Sequence, residues 1–222
     1  MTGTIVAIHT LSPTVKAIEF STEPRLDFSA GQYIEAKLPG LEWTPFSLAS
    51  SPQDPTAQLC IKEMPEHKAE LDALQPGQSF PLKAADGGLL YRSDGSRPVC
   101  LIGTGTGIAP LRSILRSRRQ QGLLAPETTL LFGVFSQDEI LYKDEWAQEG
   151  VHFVPCLSDP QPGWDGFHGM VGDAIRQGHL ALNWPEVDVY LCGHTEMVQE
   201  IKALLMELGT PRSAIVHELF IP

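Results

Sequence analysis

The chain lacks any apolar run approaching the roughly 18 residues needed to cross a bilayer. Its first ten residues, MTGTIVAIHT, show no basic stretch leading into an apolar one, so no cleaved leader is expected. A soluble, cytoplasmic protein with no membrane span is the expectation. Cysteine is scarce and dispersed. Cys60, Cys100, Cys156 and Cys192 form no C-x-x-C pair, which removes the usual closely spaced ligands of zinc and iron–sulfur sites and leaves reduced thiols. The seven histidines form no H-x-x-x-H pair, and no metal site is expected. Positive charge is also in deficit: 16 Lys and Arg stand against 27 Asp and Glu, for a net charge of −11. Such a surface repels a phosphate backbone, so nucleic acid is not an expected partner. The local exception is a cluster of Arg112, Arg116, Arg118 and Arg119, which reads as a solvated helix face, with help in holding an anionic ligand as the alternative.

What is present divides into two halves of different periodicity. With 222 residues, 42% of them hydrophobic, the chain can hold one large domain or two small ones. Short β-rich runs occupy residues 3–9, 15–21, 32–38, 45–49, 58–64 and 79–82, separated by turn signals such as Ser12-Pro13, Pro39-Gly40 and Ser51-Pro52. One short helical stretch, 68–74, interrupts them. Closely spaced strands with one late helix predict a small antiparallel barrel. From residue 98 the pattern changes. Apolar runs at 98–102, 128–134, 151–157, 187–192 and 214–219 alternate with helical patterns at 109–121, 141–148, 170–177 and 196–208. That alternation predicts a five-stranded parallel sheet covered by helices. The polar, turn-rich segment 91–97 (YRSDGSR) marks the boundary, giving expected domains of 1–94 and 95–222.

The strongest local signal is Gly103-Thr104-Gly105-Thr106-Gly107, which follows the apolar run VCLI and opens a helix at Ile108-Ala109-Pro110. Glycines let backbone approach an anion closely, and a helix N-terminus offers unpaired N–H groups with partial positive charge. No Gly-Lys-Ser/Thr follows, so this is not a nucleotide-hydrolysing Walker loop. By itself it predicts a phosphate or dinucleotide site. Three weaker signals accompany it. Thr44-Pro45-Phe46-Ser47 lies on a barrel strand, Cys192-Gly193 at the carboxyl end of the fourth parallel strand, and Glu218 and Phe220 one strand-step apart at the end of the chain. A Pro-aromatic-Ser strand is compatible with plain core, and a lone Cys is more often a buried small hydrophobe.

Taken in order, these motifs resemble the ferredoxin–NADP reductase superfamily, and most of all its compact bacterial NAD(P)H:flavin oxidoreductases. AGQY (30–33), TPFSLAS, GTGTGIAP, LYKDE, the Gly163-Trp164 and Gly169 segment, CGHTEM and the terminal Glu-x-Phe appear collinearly over almost the whole chain. The resemblance implies a flavin-binding barrel followed by a nicotinamide-binding α/β domain, with FAD, or FMN or riboflavin held loosely, as the flavin. It implies that Ser47 lies near flavin N5, that Pro45 and Phe46 line the ring site, and that residues 103–107 cradle the dinucleotide pyrophosphate. Cys192 and Gly193 would approach the nicotinamide, with Ser47, Cys192 and Glu218 as catalytic candidates. Phe220 would cover the flavin ring. Two departures stand out. Thr44 replaces the family's phosphate-binding Arg, and the family's Gly-x-x-Ser falls on Pro65-Glu66-His67-Lys68, where Lys68 or His67 would have to substitute. Asp159 follows Ser158 where NADP-dependent relatives commonly carry Arg, which predicts NADH over NADPH. Three readings follow: a reductase passing electrons to a separate acceptor protein, a free-flavin reductase, or a non-catalytic subunit that kept the fold.

Overall fold

The structure is a computed structural model that describes residues 1–220, with backbone only for Ala147, Glu149 and Phe220. Six strands form in the first half: β1 (Thr2–Ser12), β2 (Val15–Thr22), β3 (Tyr33–Ala36), β4 (Thr44–Ser47), β5 (Ala57–Lys62) and β6 (Ser79–Pro81), with a short helix α1 (Lys68–Asp72) before β6. The β1–β2 hairpin turns at Pro13-Thr14, and a residue with no N–H to donate suits a turn. One antiparallel sheet runs β5-β2-β1-β6, and β3 pairs with β4. Single bridges Ala36–Leu82 and Leu48–Leu59 join the two sets, closing the strands into a ring. Phe20, Ile34, Leu48, Leu59 and Phe80 fill it. These strands show a buried face and an open face, as expected when only the interior is apolar.

The second half contains β7 (Val99–Thr104), α2 (Ile108–Gln120), β8 (Thr128–Val134), α3 (Lys143–Glu149), β9 (His152–Leu157), β10 (Phe167–His168), α4 (Val171–Arg176), β11 (Asp188–His194), α5 (Thr195–Glu207) and β12 (Ile215–Phe220). All pairings are parallel, in the order β10-β9-β8-β7-β11-β12. The sheet therefore has six strands rather than the expected five. The added strand, β10, is two residues long and pairs only with Cys156 and Leu157, too short to present a period in sequence. β7 and β8 are buried along nearly their whole length because apolar clusters cover both faces. From β7 the chain steps outward to β10, then returns to the other side of β7 as β11. The carboxyl ends of β7 and β11 thus flank the point where strand order reverses, where open α/β sheets place their ligands.

The two halves share a core. Val15, Ala49, Cys60 and Leu89 from the barrel side pack in one cluster with Leu101, Leu111, Ile114 and Tyr190. The connecting segment is pinned as well: the backbone N–H groups of Arg92 and Ser93 donate to Tyr190 Oη at 2.8 and 3.0 Å. No helix among the described residues is long and apolar enough to cross a membrane. All four cysteines are buried and free.

Candidate functional site

A cleft of about 530 Å³ opens where the barrel meets the carboxyl edge of the parallel sheet. Thr44, Pro45, Phe46 and Ser47 of β4 and Tyr33 of β3 form its barrel wall. Thr106, from the glycine loop, and Glu218 and Leu219, from β12, face them. Ile61, Lys62 and Met64 at the end of β5 complete it. The volume lies within the ~300–1,000 Å³ typical of small-ligand pockets. Ser47 sits opposite Tyr33 in the β3–β4 ladder, is 7% exposed, and its hydroxyl bonds to no protein group among the described residues. The Thr44 hydroxyl donates to the Glu42 carbonyl at 3.1 Å.

The opposite wall is set by register. Gly103 of β7 stands across from Cys192 of β11, which stands across from Glu218 of β12. A Cβ on Gly107 would lie 2.4 Å from the Cys192 carbonyl oxygen and 2.8 Å from Gly193 Cα, so the loop and the end of β11 meet backbone to backbone. Gly105 adopts φ +52° with open space on its Cβ side, a left-handed conformation glycine takes without steric cost. No side chain caps the glycine loop or the N-terminus of α2, where the Ile108 N–H turns back onto the Gly105 carbonyl. Thr104 Oγ1 is buried there without a hydrogen-bond partner. An uncapped helix start, an open glycine and an orphaned hydroxyl converging on one loop fit an anionic group such as a pyrophosphate.

Electrostatics mark Glu218. Burial pushes its carboxyl above the usual range and Asp86 adds to the rise, while the Gly88 N–H opposes it. Burial, with Asp86, Glu218 and Glu35 following, raises Tyr33 too. Cys192 is fully buried in the shared core. Burial pushes its thiol well up, so it presents a neutral thiol, and it lies behind the cleft wall rather than on it. Gly193 closes against Thr104.

Other sequence-derived positions fall differently. Lys68 reaches Glu63 and Asp72, each at 2.9 Å, and is not part of the cleft lining. Lys62 lines the cleft and makes no ion pair among the described residues; its neighbours Glu63 and Met64 carry no recognisable motif that would have singled it out. Asp159 is exposed just past β9, its backbone N–H donating to the Phe135 carbonyl at 2.9 Å. It shares the carboxyl edge with Asp138 and Glu139. Phe220 ends β12 opposite His194, and its side chain lies outside the described residues. The arginine cluster is not a solvated face: Arg112 is 5% exposed, and Arg116 pairs with Asp54 at 2.9 Å. The helix face they occupy packs onto the barrel. No cluster of His, Cys, Asp or Glu among the described residues could hold a metal ion.

A barrel cleft facing the switch point of a parallel dinucleotide-type sheet is the architecture of reductases that work with a nicotinamide dinucleotide. Residues 101–203 match the family model described as the oxidoreductase NAD-binding domain. The chain is 32% identical to a ferredoxin–NADP reductase B of Sorangium cellulosum (strain So ce56), over 97% of this chain and 96% of that protein. It is 27% identical to the ferredoxin–NAD(P)(+) reductase component of the naphthalene 1,2-dioxygenase system of Pseudomonas putida, over 99% of this chain and 69% of that one. Among solved structures, the ferredoxin reductase in carbazole 1,9a-dioxygenase superposes with a TM-score of 0.89 at 21% identity, covering 100% of this chain and 69% of that one. The flavohem-like FAD/NAD-binding domain of nitric oxide dioxygenase from Vibrio cholerae O1 biovar El Tor superposes at 0.87 with 24% identity, covering 100% and 98%. The structural likenesses establish the fold. The 32% identity across nearly both full lengths goes further: the chain belongs to the ferredoxin–NADP reductase superfamily, a family of NAD(P)H-dependent oxidoreductases.

Proposed function

We propose that the protein is a flavin-dependent NAD(P)H oxidoreductase that moves hydride from NADH to flavin N5 and passes the electrons to a separate acceptor protein. Its two halves act as a flavin-binding domain, 1–94, and a dinucleotide-binding domain, 95–222. The observation that carries this reading is that Ser47 and Phe46 of the barrel, Thr106 of the glycine loop and Glu218 of the parallel sheet line one cleft, so ligands held by the two halves meet. When bound, a flavin accepts two electrons with a proton and can give them up one at a time. The chain's own residues do the rest. Pro45 and Phe46 offer an apolar wall for a planar ring. Ser47 offers an unspent hydroxyl on the same strand. The loop 103–107 and the start of α2 offer N–H groups to a pyrophosphate. Glu218, raised by burial, holds a proton at its carboxyl more readily than an exposed glutamate does. Cys192 shapes the cleft's floor from behind. Asp159 disfavours a ribose 2′-phosphate by charge and accepts hydrogen bonds from a free hydroxyl, which supports NADH.

A second reading, a free-flavin reductase, is favoured by Thr44 and by the engagement of Lys68 with Glu63 and Asp72, which leaves Lys62 as the cation on the cleft wall. An absorbance spectrum of freshly purified protein followed by anaerobic NADH titration separates the two. Retained flavin that NADH bleaches supports the first reading. Colourless protein that oxidises NADH only with added flavin supports the second, and no NADH oxidation with flavin and acceptor supplied overturns both.

A further inference from the structure

The apolar cluster between the halves provides adhesion, but burial is non-directional. Angle and separation need directional contacts. The helix α2 supplies several to the barrel, Arg116 to Asp54 and Ser117 to Gln53 among them, and the most deeply buried of its charged groups is Arg112. Arg112 lies on α2, five residues past Gly107, and is 5% exposed. Its Nε and Nη2 donate to Glu145 Oε2 and Oε1 at 2.8 and 2.7 Å. Its Nη1 donates to the Ala49 carbonyl at 2.7 Å and to Gln58 Oε1 at 3.1 Å. The guanidinium carbon lies 4.2 Å from the centre of the Tyr142 ring, and Tyr142 Oη donates to the same Gln58 oxygen at 3.0 Å. One group thus binds three segments: the strand end two residues past Ser47, β5, and the start of α3. Next to it, Ser113 Oγ donates to the Ser50 carbonyl at 2.6 Å.

We propose that Arg112 is the positioning residue that sets the separation of the Ser47 wall from the Thr106–Glu218 wall, and so the approach of the two reacting rings. The inference rests on the function proposed above. Hydride transfer needs its atoms within about 3–3.5 Å, and an error of ~1 Å costs on the order of 100-fold in rate. Ala49 lies two residues past Ser47, and Arg112 stands on the helix that the glycine loop opens, so the guanidinium ties the end of the Ser47 strand to that helix. A fork of fixed geometry does this where a flexible ammonium does not. A buried ion pair is also a poor source of stability compared with apolar packing of the same volume, which argues for a role in geometry.

The test uses Arg112→Lys in the full chain. Three quantities are read: affinity for riboflavin, FMN, FAD and NAD⁺; the rate of anaerobic flavin reduction at saturating NADH; and amide hydrogen exchange of the ligand-free protein. We expect affinities within about 3-fold of wild type, a rate lowered by at least ~10-fold, and lost protection confined to the segments the guanidinium joins, 49–58, 105–120 and 142–146. An unchanged rate with unchanged protection overturns the proposal. So does a rate loss matched by equal losses of both affinities and protection lost throughout, because that is a folding defect. Should Arg112→Lys not fold, Glu145→Gln keeps an acceptor for the fork without its charge. A smaller loss in the same pattern supports the proposal, and none overturns it. If wild-type protein binds neither flavin nor dinucleotide, the function reading fails on its own, and the exchange measurement still decides whether Arg112 holds the two walls.

Discussion

Replacing Gly107 with alanine adds one methyl group where the glycine loop touches the end of β11. The new Cβ would stand 2.4 Å from the Cys192 carbonyl oxygen, 2.7 Å from its carbon and 2.8 Å from Gly193 Cα. All three are backbone atoms, so no side chain can swing aside. Ordinary carbon contacts begin near 3.5 Å, so the loop or the strand must move by about 1 Å. The strand is held by ladders on both sides, to Gly103 and to Glu218, and the loop leads directly into a 13-residue helix. Overpacking of this kind costs about 1–3 kcal/mol. At about 2–4 °C per kcal/mol for a chain of this size, Tm should fall by a few to about ten degrees. Because the loop's N–H groups are displaced together, NADH affinity should fall about tenfold or more, or ~1.4 kcal/mol. Gly105→Ala is the control: nothing lies within 4 Å of its Cβ, so it carries the left-handed backbone cost of ~1–2 kcal/mol without moving β11. Differential scanning fluorimetry and calorimetric titration with NADH read both effects. A Gly107→Ala protein with wild-type Tm and wild-type affinity would refute the backbone contact and the site built on it.

Four further outcomes are expected. Thr44→Arg should tighten FMN and FAD binding but not riboflavin, because a guanidinium makes forked contacts to phosphate; equal responses of all three flavins in fluorescence titration would mean that residue 44 does not face the phosphate. Ser47→Ala should slow flavin reduction in stopped-flow by ~10-fold or more while NADH affinity holds; reduction at the wild-type rate removes Ser47 from the reaction. Asp159→Arg should shift kcat/KM from NADH towards NADPH by about tenfold or more, and a wild-type enzyme that already prefers NADPH contradicts the assignment. The fourth concerns Glu218, whose carboxyl is raised by burial first and then by Asp86. The folded state holds that proton more tightly than the unfolded chain, so its stabilising effect is full below the ordinary value of 4.5 and is lost as pH rises through the raised one. Glu218→Gln should therefore raise the urea midpoint at neutral pH, with the gain shrinking as pH falls through the raised value and gone once it is below 4.5; a gain independent of pH would locate the effect elsewhere.

The change from half-buried β patterns to strand–helix alternation near residue 95 was legible in the amino-acid order, because period depends on neighbours within one element. The glycine loop was legible for the same reason: strand end, turn and helix start are contiguous, and their chemistry is local. Thr44, Pro45, Phe46 and Ser47 were legible as a motif and do line the cleft. Lys62 was not. It joins Thr106 and Glu218 only because a loop and a strand, 44 and 156 residues away, come to the same opening. Strand β10 escaped notice because two residues carry no period.

The clearest divergence lies in side chains of the same type. Four arginines within 112–119 read alike in sequence as a solvated face. Packing of α2 against residues 49–54 buries Arg112 and pairs Arg116 with Asp54, while Arg119 stays exposed. Lys68 and Cys192 follow the same rule: the family resemblance nominated them, but Glu63 and Asp72 hold the one and the shared core encloses the other. Sequence by itself determined nearly all of the elements and where the glycine loop lies, since those depend on propensity and spacing along the chain. Tertiary structure alone decided which charges face solvent, which face a ligand and which hold the halves together, because desolvation and charge pairing depend on neighbours brought in from distant parts of the chain.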